Sequence, residues 1–120
     1  MAGPESGPGW HDLPLDVWPA WRAIFDRSKE GIDLAAPCPV CSVADLHRWF
    51  HLNRAQPTEA FGQSWAGRGS GWEWCSKCMS YVHFSGLVPT WWADNLAGVD
   101  SGQLRHDPGP IEQVRRQHVR

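Results

Sequence analysis

The chain has 120 residues, 42% of them hydrophobic and 20% charged, and a formal net charge of −2 from 11 Lys+Arg against 13 Asp+Glu. That size and composition suit one folded domain with a modest core, and no apolar run reaches the roughly 18 residues of a membrane-spanning helix. The charge excludes a broad cationic field of the kind that attracts phosphate backbones, while nine tryptophans exceed what a core of this size needs.

In chain order, residues 1–12 read as a flexible leader, rich in Gly, Pro and Ser from Met1 to Gly9. They lack the basic start and apolar stretch of a signal peptide, so a reduced, cytoplasmic protein is expected. From Asp16 to about Lys29, Trp18, Trp21, Ile24 and Phe25 recur at three- and four-residue steps, which predicts an amphipathic helix with Asp16 as N-cap and Gly31 as its stop. Ala35 to Cys41 reads as a turn. Residues 46–52 (Leu-His-Arg-Trp-Phe-His-Leu) have the composition of a strand.

Asn53 to Gly71 holds Pro57 and four glycines and reads as a long loop with a turn of helix at Thr58 to Phe61. Trp72-Glu73-Trp74 runs into Cys75 and Tyr81-Val82-His83-Phe84 runs out of Cys78, the pattern of a hairpin with its Cys pair at the tip. Thr90 is expected to cap a short helix through Trp91, Trp92 and Leu96 that ends near Gly98. One domain thus spans 13–98. The polar tail, 99–120, is broken by Asp107-Pro108-Gly109-Pro110 before a last helix at Ile111 to His118.

All four cysteines fall in two Cys-x-x-Cys pairs, Cys38/Cys41 and Cys75/Cys78. A two-residue spacer lets one tight turn aim two sulfurs at one ion, and two such turns complete a tetrahedral thiolate shell for one structural zinc ion. Two disulfides, a redox pair and an iron–sulfur cluster are the competing uses; the redox pair leaves one motif unexplained, and a reduced compartment disfavours disulfides. A closed shell leaves the metal no open position for catalysis.

These residues resemble the zinc-ribbon superfamily, with Cys38-Pro39-x-Cys41 as the first knuckle and Cys75-x-x-Cys78 as the second, over about residues 36 to 86. The resemblance implies an α+β fold: a small antiparallel zinc-ribbon sheet, flanked in this chain by an N-terminal amphipathic helix and short C-terminal helices. The sequence departs from the pattern in Ser42, where a glycine often follows the first knuckle, and in the 33 residues that separate the pairs. The run from Tyr81 to Trp92 also resembles small bacterial proteins that accompany polymorphic toxins as immunity factors.

In a regular strand, Leu46, Arg48, Phe50 and Leu52 share one face, and His47, Trp49 and His51 share the other. Val82 and Phe84 alternate with Tyr81 and His83 in the same way. The first face suits a core beneath the Trp18/Trp21/Phe25 helix. The second is either covered by the Trp91-Trp92 helix or forms a partner-binding patch of His47, Trp49, His51, Tyr81 and His83, joined by Trp65 from the Gly-rich loop.

A general acid/base role for the histidines near Glu73 or Asp45 lacks a nucleophile motif, a phosphate loop or an open metal triad, so no enzyme is expected. Between Cys38 and Trp92, Arg48, Arg54, Arg68 and Lys77 face Asp45, Glu59 and Glu73, which is 4 − 3 = +1, or −1 with a four-thiolate zinc site. The expected function is therefore a non-catalytic protein-binding module, with a toxin as the partner that the immunity resemblance implies. A nucleic-acid-binding ribbon is the alternative.

Overall fold

A computed structural model describes residues 9–29, 31–92, 104 and 106–118. Among the described residues the fold is mixed α+β: a five-stranded sheet in the order β1-β5-β4-β3-β2 and two α-helices. The strands are β1 (His11–Asp12), β2 (Asp33–Leu34), β3 (Leu46–Ala60), β4 (Gln63–Cys75) and β5 (Ser80–Pro89), and the helices are α1 (Trp18–Arg27) and α2 (Gly109–His118). The sheet is antiparallel except at one edge, where β1 runs parallel to β5.

The predicted leader is corrected at its C-terminal end, since His11 and Asp12 pair with Ser80 and Tyr81. The first helix is also shorter than its periodicity suggests. Leu15–Val17 form a 3-10 turn, and Val17, which makes no side-chain cap, takes the N-cap position in place of Asp16. Pro19, near the helix start, has no N–H to leave unpaired.

The largest correction is the expected loop at 53–71. These residues continue β3 and β4 into a long hairpin arm, and Thr58–Ala60 are strand, not helix. The arm turns at Phe61 and Gly62, both at positive φ (54° and 74°), the two-residue turn that matches strand twist. Glycine normally marks loops, but two of the arm's glycines serve close packing instead. Gly69 and Gly71 sit inside β4, where a Cβ would lie 1.8 Å from the His51 carbonyl oxygen and 2.2 Å from the Phe84 ring respectively.

Strand alternation divides the core as expected. On one face Leu46 and Val82 pack with Cys38, Cys75, Trp21, Phe25, Leu13 and Leu34 under α1. On the other Trp49, Trp72, Trp74 and Tyr81 pack with Ile111 of α2, with Trp92 and Leu104 alongside. The predicted helix after Thr90 lies largely outside the described residues; Thr90 and Trp91 form a turn. The expected last helix is present as α2, and it docks on the sheet instead of standing free as a solvated tail.

Buried charge on the α1 face is paired. Glu73 accepts hydrogen bonds from Trp21 Nε1 (3.0 Å) and from the Arg22 guanidinium. Burial raises its pKa, and Arg22, Trp21 and Arg48 oppose that rise. Arg48, directly opposite Glu73, donates to the Phe25 and Ser28 carbonyls (2.9 and 2.8 Å) and sits over the rings of Phe25, Phe50 and Trp91.

Candidate metal centre

The first knuckle is the turn before β3 and the second is the tip of the β4–β5 hairpin. Pairing of Leu46 with Cys75 fixes the two knuckles side by side. Backbone bonds shape each turn: Ser42 N–H donates to the Cys38 carbonyl (2.8 Å), and Met79 N–H donates to the Cys75 carbonyl (2.9 Å). The residue after each pair, Ser42 or Met79, has positive φ (70° and 63°). Ser42 therefore adopts the left-handed conformation for which glycine is ordinarily used, and Met79 does the same in the second knuckle.

The four sulfurs of Cys38, Cys41, Cys75 and Cys78 lie within 4.8 Å of one another, and among the described residues this is the group compact enough to hold one metal ion. The Cys38–Cys78 and Cys41–Cys75 sulfur separations are 3.8 and 3.7 Å. A tetrahedron of thiolates with metal–sulfur bonds of about 2.3 Å has edges of about 3.8 Å, so the donor set fits a tetrahedral ion. These separations are also far beyond a sulfur–sulfur bond of about 2.05 Å, and all four cysteines are free.

Electrostatics favour a cation at the centre. Burial raises the Cys38 and Cys75 thiol pKa values despite backbone hydrogen bonds to both sulfurs. At Cys78 burial acts in the same sense, but hydrogen bonding with Ser80 and with the neighbouring thiols outweighs it and lowers the pKa. Val40 N–H reaches Cys38 Sγ at 3.3 Å. Burial thus opposes ionisation at Cys38 and Cys75, and a divalent ion would supply the charge that stabilises thiolates there.

No family model, curated protein or solved structure matches the chain. The cysteine geometry thus stands on its own.

Of the two readings of the His/Trp/Tyr face, covered or exposed, the structure has the face covered, chiefly by α2. His47, Trp49, His51, Tyr81 and His83 do share one sheet face, but Trp49, Tyr81, His47 and His51 are buried and His83 is half-buried. Ile111, Val114, Trp92 and Leu104 pack over the aromatic rings of this face. His47 is held between Asp33 (Nδ1 to Oδ1, 2.7 Å) and Asp45 (Nε2 to Oδ1, 2.8 Å). Trp65 is not among them. It lies on the arm, half-buried, opposite Thr58 and Pro89, with its indole N–H bonded to the Ala60 carbonyl (2.9 Å).

Two features have no clear signal in the sequence. Glu112 of α2 accepts from Trp74 Nε1 and Ser76 Oγ, both at 2.7 Å, and from Arg115 and Arg116. Ser76 lies between Cys75 and Cys78, so α2 is latched to the second Cys turn. These donors hold the Glu112 carboxyl at a pKa of about 2 against the opposing effect of burial. The second feature is Phe61, 90% exposed at the tip of the arm. The helix-start signal at Asp107 to Pro110 announces α2, but nothing local announces what Glu112 touches.

Proposed function

We propose that this protein is a non-catalytic protein-binding module, held together by one structural zinc ion of the zinc-ribbon kind, which offers its β3–β4 arm to another protein. The zinc half rests on the four thiolates, the ligand set zinc prefers, whose spacing leaves no ligand position for water or substrate. The role of such an ion is to hold the fold.

The observation that carries the binding half is Phe61. An aromatic side chain at φ 54° has a conformational cost of about 1 kcal/mol, and its 90% exposure returns nothing to the fold. Burial of that ring against a partner accounts for both. The partner class is a toxin, from the resemblance of the Tyr81–Trp92 run to immunity factors.

The test is a binding measurement with the product of the neighbouring gene. Phe61→Ala should weaken the complex by about 2 kcal/mol, or roughly 30-fold, with zinc content unchanged. Wild-type affinity in Phe61→Ala would remove the arm from the interface.

One observation favours a second reading, a nucleic-acid contact. Arg54 and Arg68 stand directly opposite each other on the arm, both exposed, and neither has an acidic partner among the described residues. Facing like charges are destabilising, and an anionic surface relieves them. Binding of single-stranded DNA or RNA with a steep salt dependence that Arg54→Ala and Arg68→Ala flatten is the signature of this reading.

A further inference from the structure

The aromatic face of the sheet is closed by α2 near the knuckles and hollow farther along. There His51 of β3, Ser70 and Trp72 of β4 and His83 of β5 line a cleft of about 230 Å³. His51 is directly opposite Ser70, and Trp72 is directly opposite His83, so the lining crosses three adjacent strands. Asn53 stands exposed at the rim, and Leu104 and His106 close the cleft from the C-terminal segment.

The imidazoles are built in. Tyr81, itself buried, hydrogen-bonds through its hydroxyl to His106 Nδ1 at 2.8 Å, which occupies one ring nitrogen and orients the ring. The His106 and His83 ring centroids are 4.8 Å apart, and His83 packs against Trp72 at 5.0 Å. Among the described residues the titratable lining is His51 from β3, His83 from β5 and His106, with Tyr81 behind and no carboxylate.

A cluster of imidazoles around a polar hollow is a poor way to fill a core, because protonation makes the rings repel and the neutral rings still need partners. Burial and the neighbouring His106 accordingly lower the His83 pKa below its ordinary value. An anion removes both penalties by accepting N–H bonds and balancing charge. A metal ion does not fit as well, since these nitrogens do not gather compactly enough to form a ligand group. The volume has room for a phosphate group with a small organic body.

We propose that this cleft is an oxyanion-binding site for a small phosphorylated molecule, with the ring N–H groups of His83 and His106 and the polar side chains of Ser70 and Asn53 as donors. Binding draws His83 into its protonated form, so affinity rises as pH falls.

Imidazole NMR resonances of the full-length, zinc-loaded protein, titrated with sulfate and separately with inorganic phosphate, test this. Sulfate keeps its charge across the range, so its pH dependence reports the protein's protons. At pH about 5.5 sulfate should shift the His83 and His106 resonances saturably and bind about tenfold more tightly than at pH about 7.5. Phosphate should shift the same resonances. His83→Gln should abolish the response. Because that change could disturb packing, Asn53→Ala at the exposed rim serves as a second variant, expected to weaken binding about threefold with an unchanged melting temperature. No saturable shift at the lower pH, a response that chloride reproduces at equal ionic strength, equal affinity at both pH values, or undiminished binding in both variants overturns the proposal.

Discussion

Ser42 and Glu112 show how much single side chains decide in this protein. Ser42 does a glycine's conformational work at φ 70° on an exposed turn, so Ser42→Gly should relieve strain and raise stability by up to about 1 kcal/mol, read as a higher denaturant midpoint in metal-loaded protein. Glu112 has its carboxyl pKa lowered from the ordinary 4.5 to about 2, so its stabilising contribution is complete above 4.5 and is lost as pH falls towards 2. Tryptophan fluorescence should therefore report loosening of the Trp74 environment in that window, and Glu112→Gln should remove the pH dependence. Glu73 acts in the opposite sense. Burial raises its pKa, so its contribution weakens as pH rises above its unfolded value.

The hairpin arm and α2 are the elements where local pattern and tertiary fact diverge. Glycine and proline content reads as loop at 53–71 because those residues usually punctuate structure, yet Gly69 and Gly71 are there for close approach. Gly69→Ala places a Cβ against the His51 carbonyl oxygen, and the strands must separate to admit it; a loss of about 2–3 kcal/mol in chemical denaturation is expected. A neutral Gly69→Ala would contradict the pairing of Leu52 with Gly69 and with it the β3–β4 register. At α2, Glu112→Ala leaves Trp74 Nε1 and the Ser76 hydroxyl without their acceptor, at a cost of about 2–3 kcal/mol, whereas surface substitutions on the same helix such as Gln113→Ala should be nearly neutral.

For the whole molecule the knuckles, the sheet and α2 form one connected unit: the cysteines position Ser76, Ser76 and Trp74 hold Glu112, and α2 covers the tryptophans with Ile111. Chelation of the proposed metal, or Cys75→Ser, should therefore do more than loosen two turns. Melting temperature should fall steeply and tryptophan emission should shift to the red as α2 releases the aromatic face. A metal-free protein with an unchanged melting curve and unchanged emission would contradict this coupling. The four cysteines, the amphipathic character of α1, the hairpin around Cys75 and Cys78 and the division of β3 into an Arg/Leu/Phe face and a His/Trp face were legible in the chain, because each depends on spacing over a few residues. The fate of the second face was not. Whether Trp49 and Tyr81 meet solvent or a helix depends on Ile111 and Glu112, distant in sequence, and whether a glycine bends a loop or admits a neighbouring strand depends on what lies across the sheet. Local chemistry sufficed to pick out the four cysteines that come together; only tertiary packing decided that the tryptophans are core, that Phe61 is surface, and that three histidines share a cleft.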